Sequence, residues 1–419
     1  MRVAFITLGC RTNQAESAHI EQMISEGGHQ IVDLSEGADI CVVNTCSVTA
    51  KADYQSRQSI SRAMKTKAEV IVTGCYAELN SNLLNEQNPS IRVIGNSQKA
   101  SIISLIPSLR SSHTLDMSPK LRHRQTIKVQ DGCNNACSYC IIPSARGRSK
   151  SFAPREIIDE AKKLESLGFE EIVLSGIHLG IYGKDLTSGY NLAKLLEEIL
   201  SATSKARIRL SSIEINELND YLLNVLKHER ICRHLHIPLQ SADDAILYRM
   251  NRSYTVKEYS LILDKIIHQF SNISIGTDII VGFPTEDESH FNNMMKFVDS
   301  QPFTYLHVFP FSVRPGTAAA NLKPRVSDSE KKQRVLKARE LSMRKKDVFL
   351  KSNIGLDHEI IIETVNEKGV IGTTSNYIKV LAPLDVRITP RKLVKIRITG
   401  VDDDKACGIP VNNAQPPNK

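Results

Sequence analysis

The sequence predicts an α/β protein in three parts: an N-terminal layer built on a parallel sheet, a central partial barrel of six βα units, and a small C-terminal β-barrel. Three observations support it. At 419 residues the chain is longer than one hydrophobic core usually covers. Short apolar runs alternate with helical stretches up to about residue 110 and again from Gln125. From about residue 352 only short runs remain, separated by Gly, Pro, Asn and Asp. The boundaries drawn on this pattern are 1–112, a linker at 113–124 rich in Ser, Pro, His and Arg, 125–351, and 352–415.

In the first part Val3 to Gly9 brackets a buried strand, and Asn13 with Glu16 three positions later reads as a capping box opening a helix that stops at Gly27 and Gly28. Strands follow at Asp39–Asn44, Glu69–Gly74 and Ile91–Gly95, with a helix from Ala50 to about Lys65. The second part carries strand-like runs at Thr126–Gln130, Glu171–Ser175, Arg207–Ser211, Leu235–Leu239, Ile273–Val281 and Phe303–Phe309. Pro154 suits the first turn of an intervening helix and Gly168 its stop. In the third part the runs are His358–Val365, Gly369–Thr374, Tyr377–Pro383 and Leu393–Gly400, the pattern of a compact barrel.

Chemistry concentrates in the nine cysteines. Cys133, Cys137 and Cys140 form CxxxCxxC directly after the first barrel strand, on the end where barrel enzymes keep their sites. Thiolates hold iron-sulfur clusters, and because a closed four-iron site takes four of them, three leave one iron open. A structural zinc site, the alternative, normally wants four ligands in paired spacings, and this chain has no second CxxC. Cys10, Cys46 and Cys75 each fall just past the end of a predicted strand in the first part. In an open parallel sheet ligands bind at those ends, so the three are expected to converge, the alternative being unrelated buried thiols.

No stretch is long and apolar enough to cross a bilayer and the N-terminus has no signal pattern, so a soluble, cytoplasmic protein without a membrane partner is expected, its cysteines reduced. The net charge of +8 and the basic run between Lys331 and Ser352, continued at Lys379, Arg387, Arg391, Lys392, Lys395 and Arg397, suit a polyanion such as RNA. A solvated helix face is the competing explanation for the run, and a protein-protein module for the barrel.

With these pieces located, the chain resembles the radical S-adenosylmethionine methylthiotransferase family along its length. The signature is CxxxCxxC with an aromatic, Tyr139, between the last two cysteines. Thr7-LGCRTNQ, Asp131-GCNNACSYCIIPSARGR, Ser175-GIHLGIYGKDL, His236-IPLQS, Gly276-TDIIVGFP and His307-VFPFSVRPGT resemble the branch that acts on N6-threonylcarbamoyladenosine beside the tRNA anticodon, with departures at Ser144 and Ala242. The resemblance implies two 4Fe-4S clusters, one on Cys133, Cys137 and Cys140 and one on Cys10, Cys46 and Cys75. It further implies S-adenosylmethionine bound at the first, a 5′-deoxyadenosyl radical that takes hydrogen from the base, and delivery of a methylthio unit from the second. It assigns the C-terminal part to RNA binding as a TRAM barrel, with tRNA and an electron donor such as flavodoxin or ferredoxin as partners. Tyr139, Ser175, Gly176, Glu214 and Gln240 are then candidate S-adenosylmethionine contacts, and Arg146, Arg148, Lys379, Arg391 and Lys395 candidate tRNA contacts. Related enzymes acting on isopentenyladenosine or on a ribosomal-protein aspartate are alternatives, as is an RNA-binding iron-sulfur sensor without catalysis.

Overall fold

The computed structural model describes residues 1–106, 124–186, 189–367, 369–383 and 391–411. The segment expected to link the first two parts therefore lies outside the described residues except for Arg124. The first part is a parallel sheet of β1 (Arg2–Thr7), β2 (Gln30–Val32), β3 (Ile40–Thr45), β4 (Glu69–Gly74) and β5 (Arg92–Val93), in the order β2-β1-β3-β4-β5. Every residue of β3 is buried, as a central parallel strand covered on both faces requires. Strand β2 was not anticipated: three residues at a sheet edge give no period to read.

One start signal is corrected. The first helix spans Arg11–Glu26 with Cys10 as its N-cap, and no side chain caps it. Asn13 instead donates to the carbonyls of Leu8 (2.8 Å) and Thr45 (2.9 Å), while Glu16 pairs with Lys99, Lys128 and Arg146. Tertiary partners took both side chains that local sequence would have assigned to the cap.

The central part contains β6 (Gln125–Asp131), β7 (Lys150–Ser151), β8 (Glu171–Gly176), β9 (Arg207–Leu210), β10 (His234–His236), β11 (Ser274–Val281) and β12 (Tyr305–Pro310). Strands β6, β8 and β9 pair in parallel, as do β10, β11 and β12, and a parallel bridge between Ile208 and Ile231 joins the two groups. This is the expected six-stranded partial barrel, with β7 added as a short antiparallel ribbon on β6. Helices such as Pro154–Ser166, Leu192–Ala202 and Val256–Gln269 close its outer face, where Leu164, Leu195, Leu196, Ile199 and Leu263 join the largest apolar cluster.

The C-terminal part closes into a barrel of β13 (Asp357–Asn366), β14 (Gly369–Thr374), β15 (Lys379–Ala382), β16 (Leu393–Asp402) and β17 (Lys405–Pro410). It docks on the central strands through buried charge. Arg207 donates to the carbonyls of Glu359 (2.9 Å) and Thr373 (2.8 Å), and Arg209 to those of Thr374 (2.9 Å) and Ser375 (3.1 Å). Glu171 on β8 neutralises both arginines, at 2.6 and 2.8 Å. Tyr377 stacks on His234 with ring centroids 4.3 Å apart and accepts from Arg11 at 2.8 Å. No described helix is long and apolar enough to cross a membrane.

Candidate active site

Strands β1, β3 and β4 are neighbours in the sheet, so the residues just past them meet at one edge. Gly9, at φ +90°, lets the loop before Cys10 pass so close to Cys46 that a Cβ there would lie 2.6 Å from its Sγ. Burial raises the Cys46 thiol to about 11, with Cys75 and Cys10 adding to the rise. Cys75 is raised by burial as well, against the charge of Arg146 and with Cys10 again contributing. Cys10 itself is exposed. The three cysteines thus follow three neighbouring strands at one edge of the sheet.

The second trio lies on the loop after β6. Gly132, at φ +68°, lies where a Cβ would meet the Arg148 carbonyl at 2.1 Å, and this turn swings the chain into the cysteine loop. The buried Gln130 amide braces it, donating to the carbonyls of Asp131 and Gly132 at 2.7 Å each and accepting from His178 N at 2.8 Å. Arg252 Nη1 donates to Cys137 Sγ at 3.3 Å, and His178 Nδ1 lies 3.5 Å from Cys133 Sγ. Burial, then Cys137 and Cys133, push the Cys140 thiol up to about 12. Burial alone would lower His178, yet Cys133 and Glu217 raise it to about 10.

A single zinc ion, with Zn–S near 2.3 Å, would draw its thiolates to roughly 4 Å of one another. Among the described residues only His236, Asp278 and His307 bring three ligand atoms within 4.8 Å, so neither cysteine trio is drawn in that far. By donor chemistry, three cysteine thiols are a set that suits an iron-sulfur cluster.

A cleft of about 200 Å³ lies beside Cys140. Val48 and Thr49, just after Cys46, form one wall, while Tyr139, Cys140, Ile141, Gln240, Asp278, Ile280 and Phe311 form the others. Gln240 is held at φ +64° with its N–H on the Asp278 carbonyl at 2.8 Å. Glu214 is ion-paired with Arg252 beside Cys137, burial raising its carboxyl against that partner. The Ser175 hydroxyl is buried 3.3 Å from Thr12 Oγ1, and Gly176 packs under Gln130, where a Cβ would come within 2.9 Å of its Oε1.

The basic candidates separate. Arg146 is corrected: its side chain is 0% exposed and bound by Glu16 and Asp131, so it presents nothing to a phosphate. Arg148 is exposed, and Lys379 and Lys395 keep more than half their side-chain surface while pairing with Glu363 (3.7 Å) and Asp357 (3.6 Å). The Arg391 guanidinium lies over the Phe169 ring, 4.8 Å from its centroid. Sequence reasoning named neither Arg252 nor His178, His236 and His307 as site residues. Asp278 Oδ1 accepts from His236 Nε2 (2.9 Å) and His307 Nδ1 (3.1 Å), which settles the reach of the two rings at the cleft's edge. His236, Asp278 and His307 lie on three successive strands, β10, β11 and β12, and that was the available signal.

Residues 2–95 match the family described as uncharacterized protein family UPF0004, and residues 127–298 the radical SAM superfamily. The threonylcarbamoyladenosine tRNA methylthiotransferase MtaB of Aquifex aeolicus (strain VF5) is 36% identical over 91% of this chain and 96% of that protein. Its namesake in Bacillus subtilis (strain 168) is 36% identical over 99% of this chain and 96% of that protein. A tRNA-2-methylthio-N(6)-dimethylallyladenosine synthase of Fusobacterium nucleatum is 33% identical over 81% and 83%. Among solved structures, the radical S-adenosylmethionine methyltransferase TsrM of Kitasatospora setae shares the fold, with a TM-score of 0.57 at 12% identity over 76% of this chain and 77% of that one. Full-length identity at this level, joined to the radical SAM domain, shows that the chain belongs to the radical S-adenosylmethionine methylthiotransferase family, enzymes that work with a 4Fe-4S cluster and S-adenosylmethionine.

Proposed function

We propose that this chain adds a methylthio group to C2 of N6-threonylcarbamoyladenosine beside the tRNA anticodon, using two 4Fe-4S clusters. The observation that carries the proposal is a single cleft walled by the loop after Cys46 and by the loop through Cys140. The relatives named for that nucleoside, alike to this chain over nearly its whole length, support the same substrate.

A C–H bond of adenine is beyond side-chain acids and bases, so the cofactors carry the hard step. When bound, the clusters and S-adenosylmethionine supply the radical that removes the hydrogen and the sulfur that replaces it. The chain's own residues hold, orient and exclude water. Cys133, Cys137 and Cys140 would ligate one cluster, and Cys10, Cys46 and Cys75 the other. Arg252 donates to Cys137 Sγ and would orient that ligand. Tyr139, Glu214 and Gln240 border the first trio and, with backbone groups of Ser175 and Gly176, would receive S-adenosylmethionine. The apolar side chains of Ile141, Ile280 and Phe311 keep water from the base. Arg148, Lys379, Arg391 and Lys395 would take RNA phosphates, with the C-terminal barrel as the RNA-binding module. Reduction by a flavodoxin or ferredoxin, in the cytoplasm, completes the proposal.

A second reading, dimethylallyladenosine as the base, is favoured by the Fusobacterium relative. Mass spectrometry of tRNA nucleosides from cells lacking the gene decides. Loss of the methylthio form of N6-threonylcarbamoyladenosine is expected. If that nucleoside persists, the substrate assignment falls, and loss of the methylthio dimethylallyl nucleoside would install the second reading.

A further inference from the structure

Arg146 ends the short helix Ile142–Arg146, six residues after Cys140, so it belongs to the same stretch of chain that carries the first cysteine trio. Its guanidinium nonetheless reaches the N-terminal part. Nη1 donates to Glu16 Oε1 at 2.8 Å and to Asp131 Oδ1 at 2.9 Å, and Nη2 donates to Asn13 Oδ1 and, at 3.3 Å, to Glu16 Oε2. Glu16 is itself shared with Lys99 and Lys128. Two carboxylates facing three cations would be satisfied with fewer donors than Arg146 offers, and one donor is indeed left over. Nε is fully buried and has no acceptor among the described residues.

A buried N–H without an acceptor is rare and costly, because the water it lost is not replaced. The helix that Arg146 ends packs against the short helix Cys75–Leu79, so the buried Cys75 thiol is a further group near this guanidinium, and the charge of Arg146 bears on it. We infer that Arg146 is a positioning residue for the second cluster, its Nε–H donating to sulfur there, either the Cys75 thiolate or a bridging sulfide. This rests on the proposal that Cys10, Cys46 and Cys75 hold a cluster. Hydrogen bonds to sulfur and nearby net charge are two of the levers that set a cluster's potential. A buried cation donating to sulfur stabilises the more negative, reduced form, so Arg146 raises that potential. It also ties the loop of one trio to a ligand of the other.

The test uses the full chain with Cys133, Cys137 and Cys140 all changed to Ala, reconstituted anaerobically so that only the second site can hold iron, and grown with arginine carrying 15N at Nε. Pulsed electron paramagnetic resonance of the reduced protein is expected to detect a 15N coupling. Arg146→Lys should remove the coupling and move the midpoint to more negative potential. Lys128→Gln, which opens the same ion-pair group at Glu16 and Asp131, should keep both. An intact cluster without the coupling overturns the inference, as does an Arg146→Lys midpoint equal to that of the parent. If Arg146→Lys holds no cluster, the coupling in the parent decides alone. If the parent with three alanines binds no iron, the two-cluster proposal fails and this inference fails with it.

Discussion

Changing Cys133, Cys137 or Cys140 to Ala is expected to abolish formation of 5′-deoxyadenosine from S-adenosylmethionine, because under the proposed ligation each would supply one of only three thiolates to a cluster without a fourth. Changing Cys10, Cys46 or Cys75 is expected to leave that cleavage in place and to stop thiolation, with lower iron content. Chromatography of the anaerobic reaction and iron analysis of the same samples check both halves, and unchanged iron in the second set would refute the second cluster. These six residues were legible in the sequence because spacing exposes one trio and strand ends expose the other. Arg146, Arg252 and His178 were not, since a lone polar residue carries no period and partners such as Glu16, Glu214 and Cys133 lie 130, 38 and 45 positions away in the chain. Arg146 even reads as a surface cation in the run SARGR, until Glu16 and Asp131 are seen around it.

At the scale of elements, the joint between β8, β9 and the C-terminal barrel turns on Glu171. Burial alone would raise its carboxyl, but Arg207, Arg209 and Arg124 hold it well below its ordinary 4.5. A carboxylate whose folded value is depressed adds stability that is complete above the unfolded value and is lost as pH falls toward the folded one. Acid titration of the folded protein should therefore show destabilisation setting in below about 4.5, with a shallower dependence in Glu171→Gln. At neutral pH that variant leaves two buried guanidiniums without a counter-charge, a loss of about 3–5 kcal/mol in denaturant unfolding. Limited proteolysis between the central part and the barrel should accelerate in parallel. The strands of this joint were legible from their apolar runs, but the joint was not: Arg207 and Arg209 sat inside a predicted strand, and strand patterns say nothing about what meets the polar face. The short strands β2 and β17 escaped detection because three to six residues with mixed burial give no alternation to follow.

At the scale of the molecule, the net charge of +8 is unevenly committed. Arg207, Arg209, Arg146 and Lys99 are buried in ion pairs, so the positive surface open to a polyanion is smaller than the total implies. Among the candidates, Arg148, Lys379 and Lys395 remain on the outside. Replacing each with Ala should reduce the slope of log affinity for tRNA against log salt by about 0.7–0.9. Filter binding across a salt series checks this, and an unchanged slope removes the residue from the RNA footprint. The three-part α/β plan was readable from periodicity alone, whereas the way the parts lock together depended on contacts between residues far apart in sequence.

The four acceptors that Arg207 and Arg209 find on the C-terminal barrel are all main-chain carbonyls, those of Glu359, Thr373, Thr374 and Ser375. A carbonyl is the same whichever amino acid carries it. Mutational drift at these four positions therefore leaves the attachment chemistry intact, so the barrel can diversify its outer face while the central strands retain one unaltered socket.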